Sequence, residues 1–208
     1  MKRITLCALL MTLFLLSSCN TSGNATKDGQ AAKSDGTVID LDKITKNITD
    51  SVAFAKDVKE IHTLVKSIDE LAKAIGKKIK NDGTLDAMAG KNGSLLAGVF
   101  QVILTVETKL EQLEKKKELS DDLKAKITNV KGEGTGLLNK LKGGHAELGI
   151  EGATDENAQK AIDRNGKPDG DKGVAELKKL NTAIDELLTS AEAAVTSAIK
   201  ELTTSAKP

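Results

Sequence analysis

From Leu41 to Ile75 an apolar residue recurs every third or fourth position: Leu41, Ile44, Ile48, Val52, Ala55, Val58, Ile61, Val65, Ile68, Leu71 and Ile75. That spacing tracks the 3.6-residue turn of an α-helix, so one face is apolar and the other carries Lys, Asp and Glu. At ~1.5 Å per residue the helix is about 50 Å long. Asp40 suits its N-cap and Gly76 its stop.

Further apolar segments follow. Leu95 to Val106 contains no charged residue. It falls short of the roughly 20 apolar residues that cross a bilayer, so the expectation is a helix buried on nearly all sides at the centre of a bundle. Asn92-Gly93-Ser94 opens it, with Ser94 as cap, and Leu110 and Leu113 extend its stripe. Ser120 caps a third helix through Leu123, Ile127 and Val130, weakened at Gly132, Gly134 and Gly136 and resuming through Leu137, Leu138 and Leu141. Thr154-Asp155-Glu156 starts a short helix through Ala158 and Ile162. The last helix runs from Val174 to Thr203, and its many small residues predict close packing against the first. Between the first two helices, Asn81-Asp82-Gly83 signals a tight turn and a very short hairpin. Trp and Tyr are absent, which disfavours strands elsewhere. The expected fold is all-α: an elongated four-to-five-helix bundle with long first and last helices.

The N-terminus has a different character. Lys2-Arg3 precedes an uncharged apolar run, Ile4 to Leu16, and then Leu16-Ser17-Ser18-Cys19. A basic start, a short apolar run and small residues before a cut make a secretory signal. With the cysteine in place, Leu16, Ser17, Ser18 and Cys19 resemble the lipobox of bacterial lipoproteins. The resemblance implies cleavage before Cys19, with diacylglycerol on its thiol and an N-acyl chain on the new amine. Two or more chains give a stable membrane anchor at roughly 0.8 kcal/mol per buried CH₂. The expected organisation is a signal peptide at 1–18, the acylated cysteine and a flexible Ser/Thr/Gly/Asn-rich tether at 19–38, the bundle at 39–204 and a frayed end at 205–208. As a coil the tether spans about 25 Å.

Composition narrows function. Beyond residue 18 the chain carries 29 basic and 30 acidic residues, with no basic tract to suit nucleic acid. Cys7 leaves with the signal and Cys19 is the lipid site, so no thiol remains for a disulfide, a metal or a nucleophile. The only histidines, His62 and His145, lie in separate elements and read as surface residues rather than metal ligands. Gly132-Glu133-Gly134-Thr135-Gly136 lacks dinucleotide-motif spacing, and Asp169, Asp171 and Gly173 fail the calcium-loop pattern. No nucleophile with its base can be assembled, so the expectation is a non-enzyme without a cofactor other than its covalent lipid.

Four helices running out, back, out and back place residues 77–93 and 143–173 together at the end far from both termini. The candidate recognition residues on that tip are Lys77, Lys78, Lys80, Asn81, Asp82, Lys91, Asn165 and Lys167. The four lysines at 77, 78, 80 and 91 could meet a sulfated glycan, although a solvated polar face is the commoner explanation for such residues.

Several stretches resemble a known family: the signal MKRITLCALLMTLFLLSSCN, KITKNITDS at 43–51, SIDELAKAIGKKI at 67–79, NGSLLAG at 92–98, NKLK at 139–142, GATDENAQKAI at 152–162 and AIKELT at 198–203. They resemble the family of variable small proteins and outer surface protein C, surface lipoproteins of Borrelia-type spirochaetes. The resemblance implies a homodimer around the central helices and a lipid-anchored protein on the outer face of the outer membrane. It implies a serotype-defining surface antigen that meets host antibodies and evades them by switching which variant is expressed. Host or tick ligands attributed to members are glycosaminoglycans, plasminogen and tick salivary proteins. Glu133 stands about where outer surface protein C has an internal cysteine, so no disulfide-linked dimer is expected.

Overall fold

The structure is a computed structural model and describes residues 29–32, 38–116 and 118–205. The chain forms β1 (Gln30–Ala32), β2 (Val38–Asp40), α1 (Leu41–Ala72), β3 (Lys77–Ile79), β4 (Leu85–Ala87), α2 (Gly93–Glu114), α3 (Asp121–Gly143), α4 (His145–Leu148), α5 (Asp155–Ile162) and α6 (Val174–Ser205). The all-α expectation holds. The two small antiparallel sheets are appendages to the helices.

Three helix starts are capped as the sequence indicates. The Asp40 carboxylate accepts from the Lys43 N–H at 3.0 Å, the Ser120 hydroxyl oxygen from Leu123 at 3.3 Å and the Thr154 oxygen from Asn157 at 3.1 Å. β1 pairs with β2 in the register Gln30↔Asp40, so the segment read as tether carries a short hairpin against the start of α1. The glycines of α3 leave it one unbroken helix, because its apolar side is held by the other helices.

α1, α2, α3 and α6 pack in a ring, each against the next and α6 back onto α1. Side-chain pairs show that neighbours are antiparallel. Asn47 bonds Glu201, His62 bonds Asp185 and Arg164 bonds Asp69, so numbers rise along α1 as they fall toward α6. Lys116 to Asp57 and Lys109 to Glu60 do the same for α2 on α1, and Lys131 to Glu114 for α3 on α2. The ring closes on Val58, Ile61, Val65 and Ile68 of α1, Val99, Ile103 and Val106 of α2, Ile127, Val130 and Leu137 of α3, and Leu177, Leu180, Ile184 and Leu187 of α6. Each such side chain contributes about 1.5–3 kcal/mol of burial, which makes these four faces the source of stability.

Two expectations need correction. α2 is buried on one face rather than nearly all round: Val99, Ile103 and Val106 are fully enclosed, while Ala97, Gly98 and Gln101 are exposed and Leu104 is 37% exposed. A helix in a ring touches its neighbours on one side only, whatever its composition. Ser94 does not cap α2; the helix starts at Gly93, with Asn92 at the N-cap position and its side chain engaged elsewhere.

The long helices α1 and α6 have 32 residues each, against 22 for α2 and 23 for α3. They therefore continue past the turn between α2 and α3. Under that turn lies a crevice of about 560 Å³ bounded by Phe54, Leu119, Leu123 and Ala198, with Lys46, Asp50, Glu118 and Glu201 at its rim. This end carries both termini of the described bundle.

Candidate functional site

At the opposite end the chain makes its exposed connections, and one buried side chain organises them. Asn92 is 2% exposed. Its Oδ1 accepts the backbone N–H of Gly76 at 2.8 Å, where α1 has just ended. Its Nδ2 donates to the Ala153 carbonyl at 2.9 Å and to the Asp155 carboxylate at 2.8 Å, at the entrance of α5. The same Asp155 oxygen accepts the Gly90 N–H at 2.9 Å. One amide thus ties the end of α1, the return of the hairpin, the start of α2 and the start of α5. Using both ends of the amide satisfies buried groups whose loss would cost about 1–3 kcal/mol each.

Gly76 permits this approach. Its φ is +66°, a left-handed conformation, and a Cβ there would lie 2.5 Å from the Asp155 Oδ2. The Asp155 carboxyl is held below its ordinary range, first by the Gly90 N–H, then by the Asn92 amide, with Lys77 adding attraction.

From this clamp projects the β3–β4 hairpin, in the register Lys77↔Ala87, Lys78↔Asp86 and Ile79↔Leu85. Every residue from Lys77 to Ala89 is exposed. The turn closes through Asp82, whose Oδ1 accepts from the Thr84 hydroxyl at 2.6 Å and the Thr84 N–H at 2.9 Å. Those two bonds, and then Lys80, hold the Asp82 carboxyl low. The cross-strand pair Ile79 and Leu85 is 81% and 58% exposed, with Met88 at 42%.

The recognition residues chosen from sequence divide into two groups. Lys77, Lys78, Lys80, Asn81 and Asp82 lie on the hairpin, and Lys91 joins them through the clamp. Lys91 pairs with Glu151 at 2.8 Å, which lowers that carboxyl, and Lys80 pairs with Asp82 at 3.2 Å. Two of the four lysines are therefore paired with acids, while Lys77 and Lys78 make no ion pair among the described residues. Asn165 and Lys167 lie beyond the other end of α5, in a turn closed by the Lys167 N–H to the Asp163 carbonyl at 2.9 Å. Among the described residues no hydrogen bond or ion pair joins them to the hairpin. Leu16, Ser17, Ser18 and Cys19 lie outside the described residues.

Sequence reasoning passed over Asn92 and Asp155 as partners, and the two braces that hold α1 to the α5–α6 side. Arg164 grips Asp69 with two bonds at 2.6 and 2.8 Å, and His62 and Lys66 share the Asp185 carboxylate at 2.9 Å each.

A family model described as "Lipoprotein" matches residues 38–208. Variable small protein 11 of Borrelia hermsii is 50% identical over 210 residues, covering 99% of this chain and 98% of that one. Outer surface protein C of Borreliella burgdorferi is 48% identical over 207 residues, covering 98% and 95%. The chain belongs to this family of surface lipoproteins. A solved member, Variable Small Protein 1 of Borrelia turicatae, is similar at 60% identity with a TM-score of 0.74, over 78% of this chain and 99% of that structure. The variable small protein and outer surface protein C relatives extend over the whole chain, so bundle and tip alike belong to the family's common plan.

Proposed function

We propose that the chain is an outer-surface lipoprotein held by lipid on Cys19, a serotype-defining antigen that evades antibody when its expression is switched. The observation that carries this reading is the separation between clamp and display. Lys77 to Ala89 is exposed throughout, while the residues that fix its base, Gly76, Asn92 and Asp155, are withdrawn. Exposed positions away from special contacts change stability by less than about 0.5 kcal/mol, so the surface an antibody meets is free to diverge while the bundle persists. Treatment of intact cells with protease, together with palmitate labelling of wild type and Cys19→Ala, tests it. Surface cleavage with label lost in the variant is the expected result. Label retained by the variant, or protection from protease in intact cells, overturns it.

The second reading is adhesion, with a host or vector protein on the hairpin. The exposed pair Ile79 and Leu85 favours a protein partner over a sulfated glycan, because two of the four nearby lysines, Lys91 and Lys80, already face Glu151 and Asp82. Heparin retention that is unchanged by Lys→Ala at 77, 78, 80 and 91 removes the glycan from consideration.

A homodimer through α2 fits the same reading. In a chain with 29% charged residues, the solvent side of α2 carries none from Leu95 to Val106. A second copy seated on that side accounts for its composition.

A further inference from the structure

A second concave surface lies on the side of the bundle, beginning at Gly93 next to the Asn92 clamp. Between the first half of α2, the last turn of α3 and α4 runs a groove of about 330 Å³, floored by Leu96, Phe100, Leu141 and Leu148 and flanked by Lys142 and His145. No carboxylate lines it. Two acids that follow closely in sequence are paired elsewhere: Glu147 with Lys172, and Glu151 with Lys91 at 2.8 Å. Lys142 makes no ion pair among the described residues. His145 is fixed by its Nδ1, 3.2 Å from the Lys142 carbonyl oxygen, which leaves Nε2 outside any hydrogen bond among the described residues. The crevice at the other end differs, since Lys46, Asp50, Glu118 and Glu201 put both signs on its rim and offer no preference for either.

We propose that this groove binds a monocarboxylate with an apolar tail, aliphatic or aromatic. The tail covers Leu96, Phe100, Leu141 and Leu148, and the carboxylate meets the ammonium of Lys142 beside the imidazole of His145. Its volume lies at the small end of the ~300–1,000 Å³ range of ligand pockets, which selects short-chain or single-ring acids. Charge complementarity decides the occupant: an apolar floor alone accepts any greasy molecule, whereas the Lys142 ammonium with no carboxylate in the lining favours an anionic head. The groove and its ligand are independent of the lipid anchor, but Ala97 and Phe100 belong to the α2 segment assigned above to a second copy, so a dimer seated there must leave these two residues open.

The test uses the full chain in lipid nanodiscs and saturation-transfer NMR with 4-phenylbutyrate as probe, against 4-phenylbutanol and 4-phenylbutylamine. The acid is expected to bind saturably and at least about fivefold more tightly than either control, the range of a partly exposed charge contact. Lys142→Glu is expected to erase that preference, and Ala97→Leu, which fills the groove from α2, to abolish binding with helicity unchanged. Equal affinity for acid and amine overturns the proposal, as does acid binding that survives both substitutions. If the acid does not bind and Ala97→Leu instead shifts the sedimentation coefficient, a second copy occupies the groove and the proposal fails.

Discussion

Asn92 donates its side-chain N–H to the carboxylate of Asp155 across 2.8 Å, joining residues 63 positions apart in the chain. The pair works only with an amide on one side and a carboxylate on the other. Asn92→Asp sets two carboxylates together and removes the donor to the Ala153 carbonyl. It is expected to lower unfolding free energy by about 2–3 kcal/mol, read as a lower midpoint in urea, and to cost more than Asn92→Ala.

Acidification probes the same clamp. The Asp155 carboxyl is depressed by the Gly90 N–H and the Asn92 amide, so the folded state holds its proton less tightly than the unfolded chain does. Stability from this group is present above the unfolded value, about 3.9, and declines as pH falls through the lower folded value. Asp155→Asn is expected to flatten that part of the acid limb in a pH series of thermal melts. A limb of unchanged slope refutes the assignment.

Display and support separate in mutagenesis. Ile79→Ser with Leu85→Ser, both on the exposed hairpin, is expected to change global stability by less than about 0.5 kcal/mol. Gly76→Ala places a Cβ 2.5 Å from the Asp155 Oδ2 at a φ of +66°, and is expected to cost about 1–3 kcal/mol. Calorimetry on the two variants gives the comparison directly.

α2 offers a contrast between adjacent residues. Ile103→Ala opens a cavity in the core and is expected to cost about 2–5 kcal/mol. Leu104→Lys, at a position 37% exposed, is expected to leave the monomer's stability nearly unchanged while shifting a dimer toward monomer in analytical ultracentrifugation. Dimerisation indifferent to Leu104→Lys points to another face.

Periodicity and caps made the bundle readable: Asp40, Ser120 and Thr154 each stand where a helix begins and close on its first turn. Periodicity misled in detail along α1. Ile44, Ile48 and Val52 are separated by steps of four, each rotating about 40° past a full turn, so Val52 drifts to 38% exposure and Phe54 takes the core position. An uncharged segment showed that α2 is apolar without showing which side meets its neighbours. The clamp was illegible because Asn92 abandons its own helix for partners 16, 61 and 63 residues away, and no local pattern encodes such distances. That two connections share one end was readable from helix count. Which of their residues touch was not, since Lys91 finds Glu151 while Asn165 and Lys167 turn on their own loop.

The unequal helix lengths give the molecule a neck. α1 and α6 are each some ten residues, roughly 15 Å, longer than α2 and α3. That extra length meets the α2–α3 turn, where Lys46 pairs with Glu118 at 3.2 Å, and the β1–β2 pair. Within it the Asn47–Glu201 bond at 3.1 Å bridges α1 and α6. Its buried apolar side chains are Ile44 and Ala198, against the four-helix core above, so a pull on the head is expected to open this section first.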